Sequence, residues 1–427
     1  MRRIRLAAAM AAASLVVAGC AGADDSGGAD GALKIGAWYP LSGPVAASGV
    51  PSEAGARAYF DMLNDNGGVN GRKIDFISED TAFDPQQTLQ VARRLIQRDG
   101  VQAIVTANGT APTEATFPFV LEQSKVPIFG TYGGSSAWYD PARDGLFGTQ
   151  ALYEDQAKVA VNWALEEGAK DIVIVRDDPE AFATVDDAAT ETIEAGGGTA
   201  DRVVVKFGST DFGPYVSEVK KKSPDAVFLI LPVPEAAAYL NEAALQGLDA
   251  PVYAYAPPAT GALVTLAGKN AEGFRAVSLT RPPTSSDPAV VEYREAMKKY
   301  APKQEPDFYS IANFAWAKAF AEIIGTIDGE VNKESITEAI ESASEIDTGI
   351  APPMSFSDGH LGTHAVMRVE VKDGEFVGVG GRHRHRSAHD LQRGQPRDAR
   401  GDAGRGQGRR VRQRRRLRLP VGRTRVR

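Results

Sequence analysis

The sequence predicts an α/β protein of two lobes, each a parallel sheet flanked by helices. Three observations predict it. Short apolar runs alternate with amphipathic stretches from Leu33 to about Gln246. The pattern restarts: residues 33–130 read strand–helix–strand–helix–strand–helix–strand, and residues 171–255 repeat that order. The 427 residues are 24% charged and 43% hydrophobic, an ordinary globular composition with room for more than one core. Strict βα alternation implies parallel strands, because a helix must carry the chain back across a sheet face. Identity between the halves is not evident, so the repeat is one of topology.

The strands are expected at Lys34–Trp38, Ile74–Glu79, Ala103–Thr106, Ile128–Gly130, Asp171–Arg176, Arg202–Lys206, Ala226–Leu231 and Val252–Tyr255. Helices are expected over 49–65, 85–98, 112–123, 153–167, 180–195, 212–222 and 234–246. In 85–98, Leu89, Ala92, Leu95 and Ile96 share one helical face. Asp84 is placed to cap that helix, with Pro85 at its first position. Further helices are read over 287–301, 308–325 and 333–343. Met354–Phe356, His364–Val371 and Phe376–Val379 read as strands, with Asp373-Gly374 turning the last hairpin.

The two ends differ from the body. Arg2, Arg3 and Arg5 precede the apolar stretch Leu6–Ala18, which has the length of an export signal and not of a membrane span. The stretch runs into Val17-Ala18-Gly19-Cys20, and Cys20 is the only cysteine, which excludes a disulfide framework and a multi-cysteine metal site. This tetrad resembles the bacterial lipobox. The resemblance implies that residues 1–19 are a signal peptide and that Cys20 is lipidated as the mature N-terminus. Residues 20–32 are small and polar, a tether. No later segment reaches 18 apolar residues, so the expected membrane attachment is by lipid only.

The net charge of −7 hides a split. Residues 382–427 hold 17 Arg against 3 Asp, a balance of +14; residues 1–381 hold 31 Lys+Arg against 52 Asp+Glu, a balance of −21. The acidic body argues against a nucleic-acid partner there. The basic tail has no aromatic residue and no lysine, and cannot bury a core. It reads either as a basic arm for anionic lipid or nucleic acid or as out-of-frame translation of a GC-rich gene. The abrupt switch after an apparently complete strand favours the second.

Several motifs now combine: Lys34-Ile35-Gly36 with Pro40-Leu41-Ser42-Gly43-Pro44; Asp65-Asn66-Gly67-Gly68-Val69-Asn70-Gly71-Arg72-Lys73; Asp84-Pro85-Gln86-Gln87; and Ala271-Glu272-Gly273. At these spacings residues 33–380 resemble the type I periplasmic-binding-protein fold that captures leucine, isoleucine and valine for bacterial ABC importers. The resemblance implies two lobes joined by three crossovers, closing on a ligand like a hinged clamp. Lobe one would be 33–148 plus 277–345, and lobe two 149–276 plus 346–381. It also implies ABC permease subunits as partners and the extracytoplasmic face of the cell membrane as location.

Ligands of open parallel sheets bind beyond the carboxyl ends of the strands. In lobe one this selects Ser42 and Ser48 after the first strand; Asn108, Gly109 and Thr110 after the third; and Tyr132, Gly133, Ser135 and Ser136 after the fourth. Small residues, hydroxyls and free backbone N–H groups suit a carboxylate or amide oxygen. In lobe two the loops Asp178–Phe182 and Tyr253–Thr260 close over the ligand, with Phe182 and Tyr255 placed to stack on it. Amino-acid binders of this family carry an acid in the late lobe-two loop for the ligand ammonium. Residues 253–260 hold none. Burying an unpaired ammonium is costly. Either Asp177, Asp178 or Glu180 substitutes, or the solute lacks a free α-amino group; the second is the expectation.

An exported enzyme is the rival from another class. No G-x-S-x-G elbow, phosphate loop or dinucleotide fingerprint is present. His360 and His364 stand four apart, but Gly359 and Gly362 oppose the helix a zinc pair needs. A ligand-sensing module acting through a partner is the other alternative. The sequence is read as a solute-binding lipoprotein for a branched-chain-amino-acid-like, amide or carboxylate solute, with no catalysis, metal or cofactor.

Overall fold

The computed structural model describes residues 31–43, 45–178, 182–357 and 359–384. The export signal, Cys20, the tether before residue 31, Glu180 and the chain beyond residue 384 lie outside the described residues.

Two sheets form. The first comprises β1 (Leu33–Tyr39), β2 (Ile74–Asp80), β3 (Ala103–Val105), β4 (Ile128–Phe129) and β5 (Leu146–Phe147), in the order β2-β1-β3-β4-β5. All its pairings are parallel. The second comprises β6 (Asp171–Asp177), β7 (Thr199–Val205), β8 (Ala226–Ile230), β9 (Val252–Ala254), β10 (Arg275–Ser278), β11 (Ala365–Lys372) and β12 (Glu375–Arg384). Its order is β12-β11-β10-β9-β8-β6-β7. The run β7-β6-β8-β9-β10 therefore repeats the first sheet's order, and the restart read in the sequence is a restart of topology. The hairpin β11–β12 adds two antiparallel strands beside β10.

The helices are α1 (Ala46–Asp65), α2 (Pro85–Arg93), α3 (Thr110–Glu114), α4 (Tyr153–Glu166), α5 (Ala183–Ala195), α6 (Gly213–Lys222), α7 (Val233–Gln246), α8 (Gly261–Ala267), α9 (Pro288–Tyr300), α10 (Phe308–Ile324) and α11 (Lys333–Ser342). Asp84 caps α2, its carboxylate accepting from Gln87 N at 2.7 Å. α9 and α10 follow β10 in the chain yet pack on α1, so they cover the first sheet. The chain thus passes between the lobes after β5, after β10 and before β11.

Alternation along the strands sorts side chains to opposite faces. Ile172 and Ile174 join the large core shared with α4, α5 and α10, while Val173 and Val175 join a separate core with α6, α7 and α8. The outer face of the first sheet buries Trp38, Leu95, Phe117 and Trp138.

Several expectations need correction. Helix 85–98 is α-helical only to Arg93 and continues as a wider π-helical turn, Arg94–Arg98. Helix 112–123 divides into α3 and a π-helical turn Pro118–Gln123, since Pro118 supplies no N–H. Met354–Phe356 is no strand: Met354 makes one isolated bridge with Ile346. Phe356 instead packs on Phe129 and Phe147, so part of 346–381 touches the first sheet and not only the second. β12 runs to Arg384, three residues into the basic tail, so no element ends at 381. The short elements β5, α8 and β10 were not anticipated.

Candidate functional site

The parallel strands of each sheet end along one edge, and the expected loops gather there. Ser42 and Ser48 are engaged within the first lobe. The Ser42 hydroxyl donates to Asp80 Oδ2 at 2.6 Å, and Asp80 also accepts from the backbone N–H groups of Leu41, Ser42 and Ala82. Burial opposes ionisation of Asp80, but these hydrogen bonds hold its carboxyl below the ordinary value. The Ser48 hydroxyl donates to Val45 O at 2.9 Å.

The other first-lobe residues come together. Asn108 is buried and donates through Nδ2 to Ser52 Oγ at 3.1 Å. Gly109 has φ +119°, a backbone conformation that favours glycine, and its N–H donates to Tyr132 O at 3.1 Å. This bond ties the loop after β3 to the loop after β4. Gly133 and Gly134 let other groups approach the second loop. A Cβ on Gly133 would stand 2.7 Å from Trp138, and one on Gly134 would stand 2.8 Å from Gln150 Nε2. Ser135 is half-buried beside them.

Groups from the start of α4 and from the second lobe meet this loop. The Ser136 hydroxyl donates to Glu154 Oε1 at 2.8 Å, and Thr184 Oγ1 from α5 donates to the same oxygen at 2.8 Å. The Thr110 and Tyr153 hydroxyls lie 3.4 Å apart. Tyr309, at the start of α10, lays its ring 4.8 Å from Tyr132 and donates its hydroxyl to Pro257 O at 3.0 Å. That bond joins a helix of the first lobe to the late loop of the second. Tyr153 and Tyr255 meet edge to face with centroids 5.8 Å apart. Burial, with smaller repulsion from neighbouring acidic groups, pushes the phenols of Tyr132, Tyr255 and Tyr309 far up, so they stay neutral donors. Phe182 sits at the N-cap of α5, half-buried against the large core.

The late loop holds no acid, but the second lobe has a buried pair at its carboxyl edge. Asp177 ends β6 and is fully buried; Glu235 lies in the first turn of α7 and is 5% exposed. Glu235 Oε1 accepts from Gly208 N at 2.7 Å, whereas Glu235 Oε2 and both Asp177 oxygens have no partner among the described residues. Desolvation first, and then Glu235, pushes the Asp177 carboxyl well above the usual carboxylate range. The Tyr255 phenol feels both acids. Asp178 is occupied at the surface, accepting from Phe207 N at 3.2 Å.

Sequence reasoning named Asp177 as a substitute acid but missed Gln150, Tyr153, Glu154, Glu235 and Tyr309. The Asp307–Ser310 capping box that fixes the start of α10, and with it Tyr309, was a readable signal. His360 and His364 serve neighbouring elements: His360 Nδ1 lies 2.7 Å from Arg143 O and His364 Nδ1 lies 2.8 Å from Asp155 Oδ2.

Residues 32–375 match the model of the periplasmic binding protein family, and the chain belongs to that family. The Leucine-, isoleucine-, valine-, threonine-, and alanine-binding protein of Pseudomonas aeruginosa is 28% identical over 315 residues, covering 73% of this chain and 82% of that protein. The Leu/Ile/Val-binding protein of Escherichia coli is 24% identical over 330 residues, covering 75% and 85%. A leucine binding protein from Thermotoga maritima superposes with a TM-score of 0.71 at 20% identity, covering 83% of this chain and 99% of its own. A solute binding protein of an ABC transporter from R. palustris, in complex with 4-hydroxybenzoate, gives 0.72 at 21% identity, covering 83% and 97%. The fold is that of type I periplasmic binding proteins, and the chain is a solute-binding protein of the ABC-transporter type. The family implies an extracytoplasmic location. No helix among the described residues is long and apolar enough to cross a membrane.

Proposed function

We propose that this chain is a lipid-anchored binding protein that delivers a small organic solute to an ABC importer by hinge closure, without chemistry on the solute. The interlobe hydrogen bond from Tyr309 to Pro257 O carries the reading. It engages only when the carboxyl edges of the two sheets face each other across the cleft. A solute that contacts both edges favours that arrangement through its differential affinity for the closed state. Lobe one contributes Asn108, Gly109, Thr110, Tyr132 and Gly133–Ser136, and lobe two contributes Tyr255 and Phe182. The closed form docks on permease subunits, and the lipid on Cys20 keeps it near them. Amide, carboxylate and amino-acid solutes all suit such an edge.

Thermal shift on the full chain tests this. The panel holds branched-chain amino acids, short amides, short acids and aromatic acids. A bound solute at 100 times its Kd stabilises by about 2.7 kcal/mol, several degrees in Tm. A rise in Tm that follows solute concentration is the expected outcome. A folded sample that responds to none of these, and that releases no small molecule when protein from its own cells is denatured, defeats the reading.

A further inference from the structure

Polar atoms without a protein partner cluster around one loop. They are Thr131 Oγ1, Thr149 Oγ1, Gln150 Oε1 and Nε2, Asn313 Oδ1 and Trp316 Nε1, each unpaired among the described residues. The five side chains are at most 2% exposed. Thr131, Thr149, Gln150 and Trp316 lie in or against residues 130–134, and Asn313 stands on α10 three residues before Trp316. A Cβ on Gly130 would stand 3.3 Å from Trp316 Cβ and 3.4 Å from Thr149 Oγ1, and Tyr132 lies 5.7 Å from the Trp316 ring. Leaving a buried polar group unpaired costs about 1–3 kcal/mol. Several together are a large burden for a fold whose net stability is of order 5–15 kcal/mol. A non-protein partner therefore meets at least part of this set.

Gln150 says what kind of partner. It lies in the first passage between the lobes, directly after β5. Its amide rests on the backbone of Gly134, in a loop expected to hold the solute. Both ends of that amide are unpaired, so it asks for a group that accepts and donates side by side. Glu154, four residues on, reaches the same loop through Ser136. Its Oε1 is satisfied by two hydroxyls, while its buried Oε2 has no partner and asks for a second donor.

We propose that the solute bears a primary carboxamide or urea end and that Gln150 selects it; this rests on the solute-binding reading above. A carboxamide oxygen accepts from Gln150 Nε2. One of its N–H bonds donates to Gln150 Oε1, and the other is free for Glu154 Oε2. A carboxylate offers no donor and meets the negative charge of Glu154. An ammonium serves the two acceptors but leaves Nε2 unmet. Of these three end groups only the amide or urea satisfies all three atoms, and discrimination by such complementary hydrogen bonds is large because a wrong end group leaves buried groups unpaired.

Calorimetry on the full chain with matched probes tests the proposal. The sets are isobutyramide, isobutyrate and isobutylamine, and benzamide, benzoate and benzylamine, with urea alone. In at least one set the amide is expected to bind at least tenfold tighter than the acid and the amine. Gln150→Met, of similar volume, is expected to abolish that preference, the amide losing at least tenfold more affinity than the acid or the amine. A purely structural role for Gln150 would instead weaken all three alike. Should Gln150→Met fail to fold, Gln150→Glu keeps the size and one acceptor, and is expected to turn the preference from amide to amine. A wild-type preference for the acid or the amine overturns the proposal and leaves solute binding standing. Where no probe binds, the molecule released from natively purified protein decides: an amide or urea end supports the proposal, and any other end overturns it. Absence of any released molecule removes the solute-binding reading as well.

Discussion

The two lobes share one strand order but present different chemistry at the same edge. The first lobe's edge beyond β3 and β4 is neutral and aromatic: Asn108, Thr110, Thr131, Tyr132 and Gly133–Ser136, backed by Tyr309, Asn313 and Trp316 of α10. The second lobe's edge carries acid: Asp177 and Glu235 buried together, with Asp178 outside them. Strand length separates them only in part: β1 and β2 match β6 and β7 at seven residues, while β3, β4 and β5 have three, two and two against five, three and four in β8, β9 and β10. α10 supplies the floor of the first edge, where Tyr309 and Trp316 pack beside Tyr132. Repeated topology therefore does not repeat chemistry: one edge offers hydrogen bonds around an aromatic floor, and the other buries two acids.

Removing that floor is the strongest way to break the comparison. Trp316 is fully buried, packs beside Tyr132 and lies under Gly130. Trp316→Ala is expected to cost about 3–5 kcal/mol, as large aromatic truncations in cores do. Urea unfolding measures it. A loss below 1 kcal/mol would mean that the first edge stands on its own short strands, and the contrast between the lobes would collapse.

The buried acid pair gives the next effect. An acid whose folded pKa is raised binds its proton more tightly when folded, so its stabilising contribution is present at low pH and lost as pH rises through the folded value. Asp177 follows this sign because burial and then Glu235 raise its pKa. Asp307 follows it as well, pushed up to about 6 by burial against its capping hydrogen bonds. Stability is therefore expected to fall from pH 5 towards pH 9. Asp177→Asn replaces the carboxyl whose ionisation burial opposes with an amide that does not titrate. The variant is expected to flatten the upper part of that fall and to be more stable than the parent at pH 8 by about 1 kcal/mol or more, as replacing poorly compensated buried charge often is. Urea midpoints between pH 5 and pH 9 check it. An unchanged slope would show that the acids are separately solvated and that the second edge is not distinct in kind.

How much of this was legible in the sequence follows the range of the forces involved. Local signals were read: the alternation of runs, the Asp84 cap with Pro85, the Asp373-Gly374 turn. The two-residue strand β5 carries too few side chains to show a period, and β10 was hidden behind the Ala271-Glu272-Gly273 turn. The site was half-read. Tyr132, Gly133, Ser135 and Ser136 sit in a loop whose glycines advertise close approach. Gln150 and Glu154 lie on the chain between two elements and belong to no motif. Trp316 and Asn313 look like any apolar helix face, since α10 is buried on nearly every side. Only folding brings a crossover, a helix start and a distant helix onto one loop. Residues 253–260 hold no acid, and the buried acids of this edge stand on β6 and α7, a placement that strand order permits and local sequence does not announce.

Ser42 gives the smallest expected effect and sharpens where the first edge ends. It was expected to touch the solute, yet its side chain is exposed and its hydroxyl is committed to Asp80. Asp80 keeps three backbone N–H donors without it. Ser42→Ala is therefore expected to cost no more than about 1 kcal/mol, the net worth of one hydrogen bond. The Tm shift produced by whichever solute responds in the screen should be unchanged. A tenfold weaker response would place the loop after β1 in contact with the solute. The solute-contacting edge of the first lobe would then extend from Ser136 across to Asp80 at the end of β2, and the solute would have to be long enough to span it.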